Sequence, residues 1–288
     1  MGQDARRRAT ESTIDVAIWR HGRLTRDRRV VAEETPVALS YNGIAHAVMM
    51  ATPADLEDFA IGFSLTEGIV GAPVEIESLS LCEMDGGLDL QMTVAGDAAD
   101  RLSQRRRSMA GPVGCGLCGI DSIEQAMRPL PRVPRGRTVP AADIDRAIAA
   151  LVPHQAMNHR TRAVHGAAHI PLGEPLDGVG IIVREDVGRH NALDKLVGAM
   201  ARAGRAAPDG LVVVTSRLSV EMVQKAAMMA APILIAVSAP TALAIRAAEE
   251  IGLTIICVAR SDGFEVATHP WRVGFPPSTA NGAASDVA

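Results

Sequence analysis

The rhythm of apolar and polar positions changes about halfway along the chain. In residues 13–19 polar and apolar side chains alternate, the period of a half-buried strand. Residues 37–41 and 44–49 flank Asn42-Gly43, a strong hairpin-turn signal. A helix is expected next. Thr52 is placed to cap it, Pro53 suits its first position, and Asp55, Glu57 and Asp58 suit its positive N-terminal end. Leu56, Phe59, Ala60, Phe63 and Leu65 give it an apolar face, and Gly68 ends it. Strands at 76–82 and 88–94, joined by Asp85-Gly86-Gly87, complete an α+β unit.

Beyond residue 140 the apolar runs become continuous. Helices are expected over 141–151, 191–203, 220–230 and 241–251, and strands over 179–183, 211–214, 233–237 and 254–258. Such strands, spaced by helices, predict an α/β domain with a mostly parallel sheet covered on both faces. Ligands on such sheets bind near the carboxyl ends of the strands. Those ends are polar here: Arg184-Glu185-Asp186, Thr215-Ser216-Arg217, Ser238 and Arg260-Ser261-Asp262-Gly263. The expected organisation is a disordered start (1–11), an N-terminal α+β domain (12–100), a connector (101–140), a C-terminal α/β domain (141–274) and a disordered tail (275–288). The connector holds Arg105-Arg106-Arg107, a Gly-rich stretch, a short helix near 120–127 and a Pro/Arg-rich segment. A long, weakly patterned passage is either functional or a linker, and its two thiols favour function.

Composition narrows the classes. A chain of 288 residues, 48% of them apolar, can build one large domain or two ordinary ones. A net charge of −4 and only 2% aromatic residues argue against a nucleic-acid binder. Residues 226–245 carry no charge, but Pro232, Ser238 and Pro240 interrupt them, so they read as helix end, buried strand and helix start rather than a membrane span. The polar, Arg-rich start does not resemble a signal peptide. Few cysteines and an adjacent thiol pair point to the reducing cytoplasm.

The thiol pair is Cys115-Gly116-Leu117-Cys118-Gly119, with Gly111, Pro112 and Gly114 just upstream. Glycine resists regular structure, so a loop is expected. Such a pair can be half of a zinc site, a dithiol redox centre or a persulfide carrier. Cys82 and Cys257 lack a paired spacing and are expected as buried small hydrophobes, so no metal site is expected. The zinc deaminase signature also fails: His165-Gly166-Ala167 has no glutamate, and the thiol pair precedes the histidine. The three arginines upstream are either a solvated charge run or an anion site. A second cluster, Asp186-Val187-Gly188-Arg189-His190-Asn191-Ala192-Leu193-Asp194-Lys195, follows a strand and opens a helix, where free N–H groups can hold an anion. Gly188 permits close approach, while Arg189 and His190 add charge or donors. The plainer alternative is helix capping by Asn191. Three polar strand ends on one sheet edge suggest a phosphate-rich ligand.

Taken together these residues resemble the FdhD family of sulfur carrier proteins needed to make active formate dehydrogenase. The resemblance is carried by residues 59–70, Cys115-Gly116-Leu117-Cys118-Gly119, Glu185-Asp186-Val187-Gly188-Arg189-His190-Asn191-Ala192, Thr215-Ser216-Arg217 and Val258-Ala259-Arg260. It implies a sulfurtransferase that takes persulfide sulfur from a cysteine desulfurase. The sulfur passes to the molybdenum cofactor, in its bis(molybdopterin guanine dinucleotide) form, before formate dehydrogenase receives it. Cys115 resembles the persulfide-carrying position and Cys118 its partner. Val258, Ala259, Arg260, Ser261, Asp262 and Gly263 resemble the family's cofactor-binding segment, joined by Gly188, Arg189, His190, Ser216 and Arg217 at the other strand ends. The resemblance further implies a cytidine deaminase-like C-terminal domain and a homodimer.

Overall fold

The computed structural model describes residues 8–108, 129–173 and 180–277. The thiol pair, the helix expected near 120–127, the first seven residues and residues 278–288 lie outside these.

The chain opens with a two-stranded ribbon, β1 (Glu11–Arg20) and β2 (Arg23–Ala32). The alternation in 13–19 signalled β1, but β2 was not legible: its outer half is arginine-rich and solvated on both faces. Then come β3 (Thr35–Tyr41), β4 (Ile44–Ala51), helix α1 (Leu56–Thr66), β5 (Ile76–Met84), β6 (Gly87–Val94) and helix α2 (Asp97–Ser108). The strands form a sheet in the order β4-β3-β6-β5. Asn42 and Gly43 make the β3–β4 turn with φ of 51° and 77°, as the hairpin signal required. Val37, Leu39, Tyr41, Phe59, Leu88 and Leu90 are among the side chains that fill the core beneath α1. Helix α2 runs through the residues expected to begin the connector, and its Leu102 joins this core.

The C-terminal unit contains β7 (Val139–Pro140), α3 (Ala141–Leu151), α4 (Ala156–Thr161), β8 (His165–Pro171), β9 (Ile182–Asp186), α5 (Arg189–Arg202), β10 (Gly210–Val214), α6 (Val220–Met228), β11 (Ile233–Ala236), α7 (Ala242–Ile251), β12 (Thr254–Arg260), β13 (Gly263–Val266) and β14 (Val273–Gly274). Its six-stranded sheet has the order β13-β12-β11-β10-β8-β9. The expectation of a mostly parallel sheet is corrected here. Only β10, β11 and β12 run parallel, while β8, β9 and β13 pair antiparallel. The central strands carry the continuous apolar runs that both-face burial demands. β8, with its glycine, alanines and histidines, carries no such run and gives no strand signal in the sequence. Successive residues of the central strands point to opposite faces. Val212, Val214, Leu234 and Ile255 meet α5, α6 and α7, whereas Leu211, Val213, Ile235 and Ile256 meet α3. Thr241 caps α7 by accepting the Ala244 N–H at 3.2 Å. Phe275, placed in the expected tail, stacks on Phe264 with ring centroids 6.4 Å apart.

Helices α1 and α5 cross where each has a glycine. A methyl group on Gly62 would stand 1.7 Å from the Asp194 carbonyl oxygen, and one on Gly198 would stand 1.9 Å from that of Asp58. The two backbones are therefore in contact, and only glycine fits at either point. Gly62→Ala or Gly198→Ala is expected to cost about 3 kcal/mol or more, because the obstacle is backbone and cannot rotate away. Urea unfolding of the single variants measures this; unchanged midpoints would contradict the close crossing.

Candidate functional site

Strand register decides which polar strand ends share an edge. β10, β11 and β12 are parallel, and β9 pairs with β8 so that His165 faces Asp186. The carboxyl ends of β9 to β12 therefore open on one edge, where β8 and β13 begin. The loops after β10 and β11 are joined to each other, with Leu218 N–H donating to the Ala239 carbonyl and Thr241 N–H to the Leu218 carbonyl. The three polar strand ends expected at one edge are indeed brought together.

The polar chemistry of residues 185–195 divides by direction. Glu185 accepts the Met157 and Asn158 N–H groups, each at 2.8 Å, and so holds the start of α4. Asp186 is fully buried and pairs with buried Lys195 at 2.6 Å. It also accepts the Gly188 N–H at 2.7 Å, an Asn191 amide hydrogen at 3.0 Å and the Thr52 N–H at 3.0 Å. Thr52 answers twice more: its hydroxyl accepts the Val187 N–H and its carbonyl accepts from Lys195. The expectation that Thr52 caps α1 is thus corrected. Asp55 stands at that helix start with φ 52°, and Thr52 ties the N-terminal sheet to the β9–α5 junction instead. Nor does Asn191 cap α5, which begins at Arg189 after Gly188; Asn191 is buried and donates to Asp186 and to the Met50 carbonyl.

Deeper along α5, Asp194 meets Lys225 of α6 at 2.9 Å, with the Thr66 hydroxyl donating to it at 2.6 Å. Burial pushes the Asp194 carboxyl up to about 6, against the pull of Lys225 and Thr66. Asp58 of α1 accepts from Arg184 at 2.8 Å and from Arg202 at 2.9 Å. Thr52 and Asp58 were read from the sequence only as residues of the α1 start and Arg184 only as a polar strand end; Arg202 and Lys225 were not singled out. Their signal was charge placed within otherwise apolar helices and strands.

Gly188, Arg189 and His190 remain at the open edge. Arg189 Nε and His190 Nε2 are buried atoms without a hydrogen-bond partner among the described residues. His165 is the neighbouring imidazole, within electrostatic reach of Arg189, Asp186 and Arg217. It starts β8. Burial, then Arg189 and Lys225, depresses the His190 imidazole to about 4, and burial with Arg189 and Arg217 also lowers His165. Both rings are neutral at pH 7. The edge therefore presents guanidinium charge with neutral imidazole donors and acceptors, and no described acid pairs with Arg189, Arg217 or Arg260.

The remaining candidates are placed unequally. Arg217, Arg260, Ser261 and Asp262 are exposed, with Ser261 and Asp262 in the turn between β12 and β13. Ala259 is buried, and Ser216 is buried with its hydroxyl donating to the Arg217 carbonyl at 3.1 Å, so neither side chain opens on the edge. Val258 has φ 49°, a left-handed conformation that a β-branched residue adopts only under constraint. Its N–H donates to the Ser238 carbonyl, fixing this irregular part of β12 to the end of the neighbouring strand β11. Cys257 is buried as expected, and burial with Glu265 raises its thiol pKa. Cys82, expected buried, is only half-buried on the edge strand β5. Cys115 and Cys118 lie outside the described residues. Their connector returns at Pro134 and Arg135, whose carbonyls accept from the buried Arg272 guanidinium at 3.1 and 2.5 Å. Among the described residues no three His, Cys, Asp or Glu side chains gather as a metal set, and no helix is long and apolar enough to cross a membrane.

These features define a two-unit α/β protein with a cationic, partly unsatisfied strand edge. Sequence comparison places it further: the model of the FdhD/NarQ family matches residues 32–274, and the chain belongs to that family. It is 57% identical over 246 residues to the sulfur carrier protein FdhD of Brucella abortus, covering 85% of this chain and 90% of the relative. It is 52% identical over 255 residues to that of Agrobacterium fabrum, covering 88% and 93%. A crystal structure of a candidate formate dehydrogenase accessory protein from Desulfotalea psychrophila superposes with a TM-score of 0.69 at 25% identity, covering 92% of this chain and all of that one.

The buried imidazole sets a pH signature. A histidine with a folded pKa of about 4 against 6.5 ordinarily gives stability that is present above pH 6.5 and lost as pH falls toward 4. NMR titration is expected to show His190 neutral to about pH 4. The stability of wild type relative to His190→Asn should fall by up to about 3 kcal/mol over the same window. Titration near 6.5 would contradict the burial.

Proposed function

We propose that this protein is a sulfur carrier for formate dehydrogenase maturation, accepting sulfur on Cys115 and delivering it to a guanine-dinucleotide molybdenum cofactor held at the strand edge. The observation that carries the cofactor half is the pair of unpartnered buried nitrogens, Arg189 Nε and His190 Nε2, on the same sheet edge as the left-handed Val258 in β12. A cofactor rich in phosphates suits such an edge, since guanidinium groups and backbone N–H groups at a helix start favour phosphate oxygens. Arg189, Arg217 and Arg260 would hold phosphates, and the segment from Val258 to Gly263 the guanine nucleotide ends. The names of the relatives, sulfur carrier proteins, support the sulfur half.

In this reading a cysteine desulfurase presents a persulfide, and the Cys115 thiolate attacks its outer sulfur. The donor's S–S bond breaks, a new S–S bond forms on Cys115, and the donor thiolate leaves. Cys118, three residues on, serves as the partner thiol. The C-terminal unit is a cytidine deaminase-like scaffold used for binding, the protein works as a homodimer in the cytoplasm, and formate dehydrogenase takes the finished cofactor.

Two substitutions separate the halves. Cys115→Ser is expected to abolish formate dehydrogenase activity in a cell that depends on this protein, while leaving GDP affinity unchanged. Arg260→Ala is expected to weaken GDP binding about tenfold, the worth of one charge-assisted hydrogen bond, without affecting sulfur loading. Normal maturation with Cys115→Ser would leave a cofactor-binding chaperone whose cysteines only sense redox state. Unchanged GDP affinity with Arg260→Ala would remove the strand edge as the site.

A further inference from the structure

One carboxylate near the open edge is left over by the network described above. Glu185 and Asp186 are held by backbone N–H groups and by Lys195, and Glu67 pairs with Lys225 at 2.9 Å. Asp262 is exposed in its turn. Glu221, in the first turn of α6, is partly buried and forms no ion pair among the described residues.

Helix packing fixes what Glu221 faces. Helices α5 and α6 both start at the open edge and run away from it in contact with each other. Asp194 and Lys225 pair across them at 2.9 Å. His190 and Glu221 stand four residues earlier, one turn nearer the edge on the same helix faces. That ion pair therefore sets Glu221 opposite His190, and each lies within electrostatic reach of the other. Burial opposes ionisation of Glu221, yet the nearby Ser219 hydroxyl, its own N–H, His190 and Arg189 hold its carboxyl below the usual range. A carboxylate thus stands beside a neutral imidazole at pH 7. Ser219 Oγ joins Arg189 Nε and His190 Nε2 as a buried polar atom without a well-formed hydrogen bond among the described residues.

Two acceptor oxygens next to a donor nitrogen match a particular ring edge. A 2-amino-4-oxopyrimidine presents an amino group, a ring N–H and a carbonyl in a row, two donors and then an acceptor. A carboxylate accepts the two parallel N–H groups together, as it does from a guanidinium fork. Guanine and pterin rings both carry this edge, and adenine does not. Discrimination is strong where the reading group is partly withdrawn from water, because a mismatch leaves it unpaired; an exposed carboxylate such as Asp262 discriminates little. We propose that Glu221 reads the 2-amino-4-oxopyrimidine edge of the bound cofactor, with His190 Nε2–H donating to the ring carbonyl. This rests on the cofactor half of the proposed function and adds ring specificity to it. With the guanine ends at Val258 to Gly263, the ring at Glu221 is the pterin.

The test is isothermal titration calorimetry of the full chain in two arms. One compares GDP with IDP, which lacks the 2-amino group. The other compares 6-hydroxymethylpterin with 6-hydroxymethyllumazine, in which an oxo group replaces the amino group. Wild type is expected to prefer the amino ring about tenfold or more in one arm, the worth of a charge-assisted hydrogen bond. Glu221→Gln is expected to abolish that preference. Glu221→Asp keeps the charge at the helix start but draws the carboxylate back, and is expected to abolish it too, which a purely electrostatic role would not do. Circular dichroism and melting temperature check that both variants fold. Loss in the pterin arm places the pterin at Glu221, and loss in the nucleotide arm places guanine there; either supports the proposal. A wild type without preference in both arms overturns it, as does a preference that survives in either variant. So does equal loss of both rings of an arm, since reading the amino group would spare the ring that lacks one. Each of these leaves the strand-edge site standing as long as wild type binds GDP, whereas a wild type that binds no nucleotide removes that site as well.

Discussion

Helix α5 is buried along almost its whole length, from Asn191 to Met200, yet carries Asp194 and Lys195 in its middle. A helix surrounded by protein cannot leave those charges to water, and an unpaired buried charge costs several kcal/mol. Each is answered by a neighbour: Lys195 by Asp186 and the Thr52 carbonyl, Asp194 by Lys225 and the Thr66 hydroxyl. Thr52 and Thr66 belong to the N-terminal unit and Lys225 to α6. The pairing therefore dictates how the two units sit, and the glycines at 62 and 198 let the helices come close enough for it.

The same constraint shapes the open edge. Asp186 is shared between the inside and the outside of the molecule. One oxygen takes the Lys195 pair and the Thr52 N–H; the other holds the Gly188 N–H and Asn191. With Asp186 consumed inside, no described acid forms an ion pair with Arg189, although Glu221 stands within electrostatic reach, and the start of α5 keeps its positive character. A single run of residues thus joins the two units on one side and presents cationic groups on the other. The neutral state of His165 and His190 follows from the same burial and the same guanidinium groups.

Much of the fold was legible because apolar period reports burial. Helix α3 and the central strands β10 to β12 lie where continuous or helical patterning put them, and Asn42-Gly43 made its turn. What failed was legible only in three dimensions. β8 is too rich in small and polar residues to read as a strand, and β2 is solvated, so neither carries a burial period. The gathering of strand ends could be foreseen from polarity after each strand. The split of residues 185–195 could not, because sequence spacing does not say which of two charges meets Thr52. Ser216 shows the limit of polarity as a guide: its hydroxyl serves its own turn.

The proposed sulfur carriage rests on Cys115. Incubating the reduced protein with a cysteine desulfurase and cysteine, then measuring intact and peptide mass, tests it directly. A gain of about one sulfur atom on the peptide holding Cys115, removed by reductant, is expected, as a persulfide requires. No gain in the presence of an active, compatible desulfurase would contradict it.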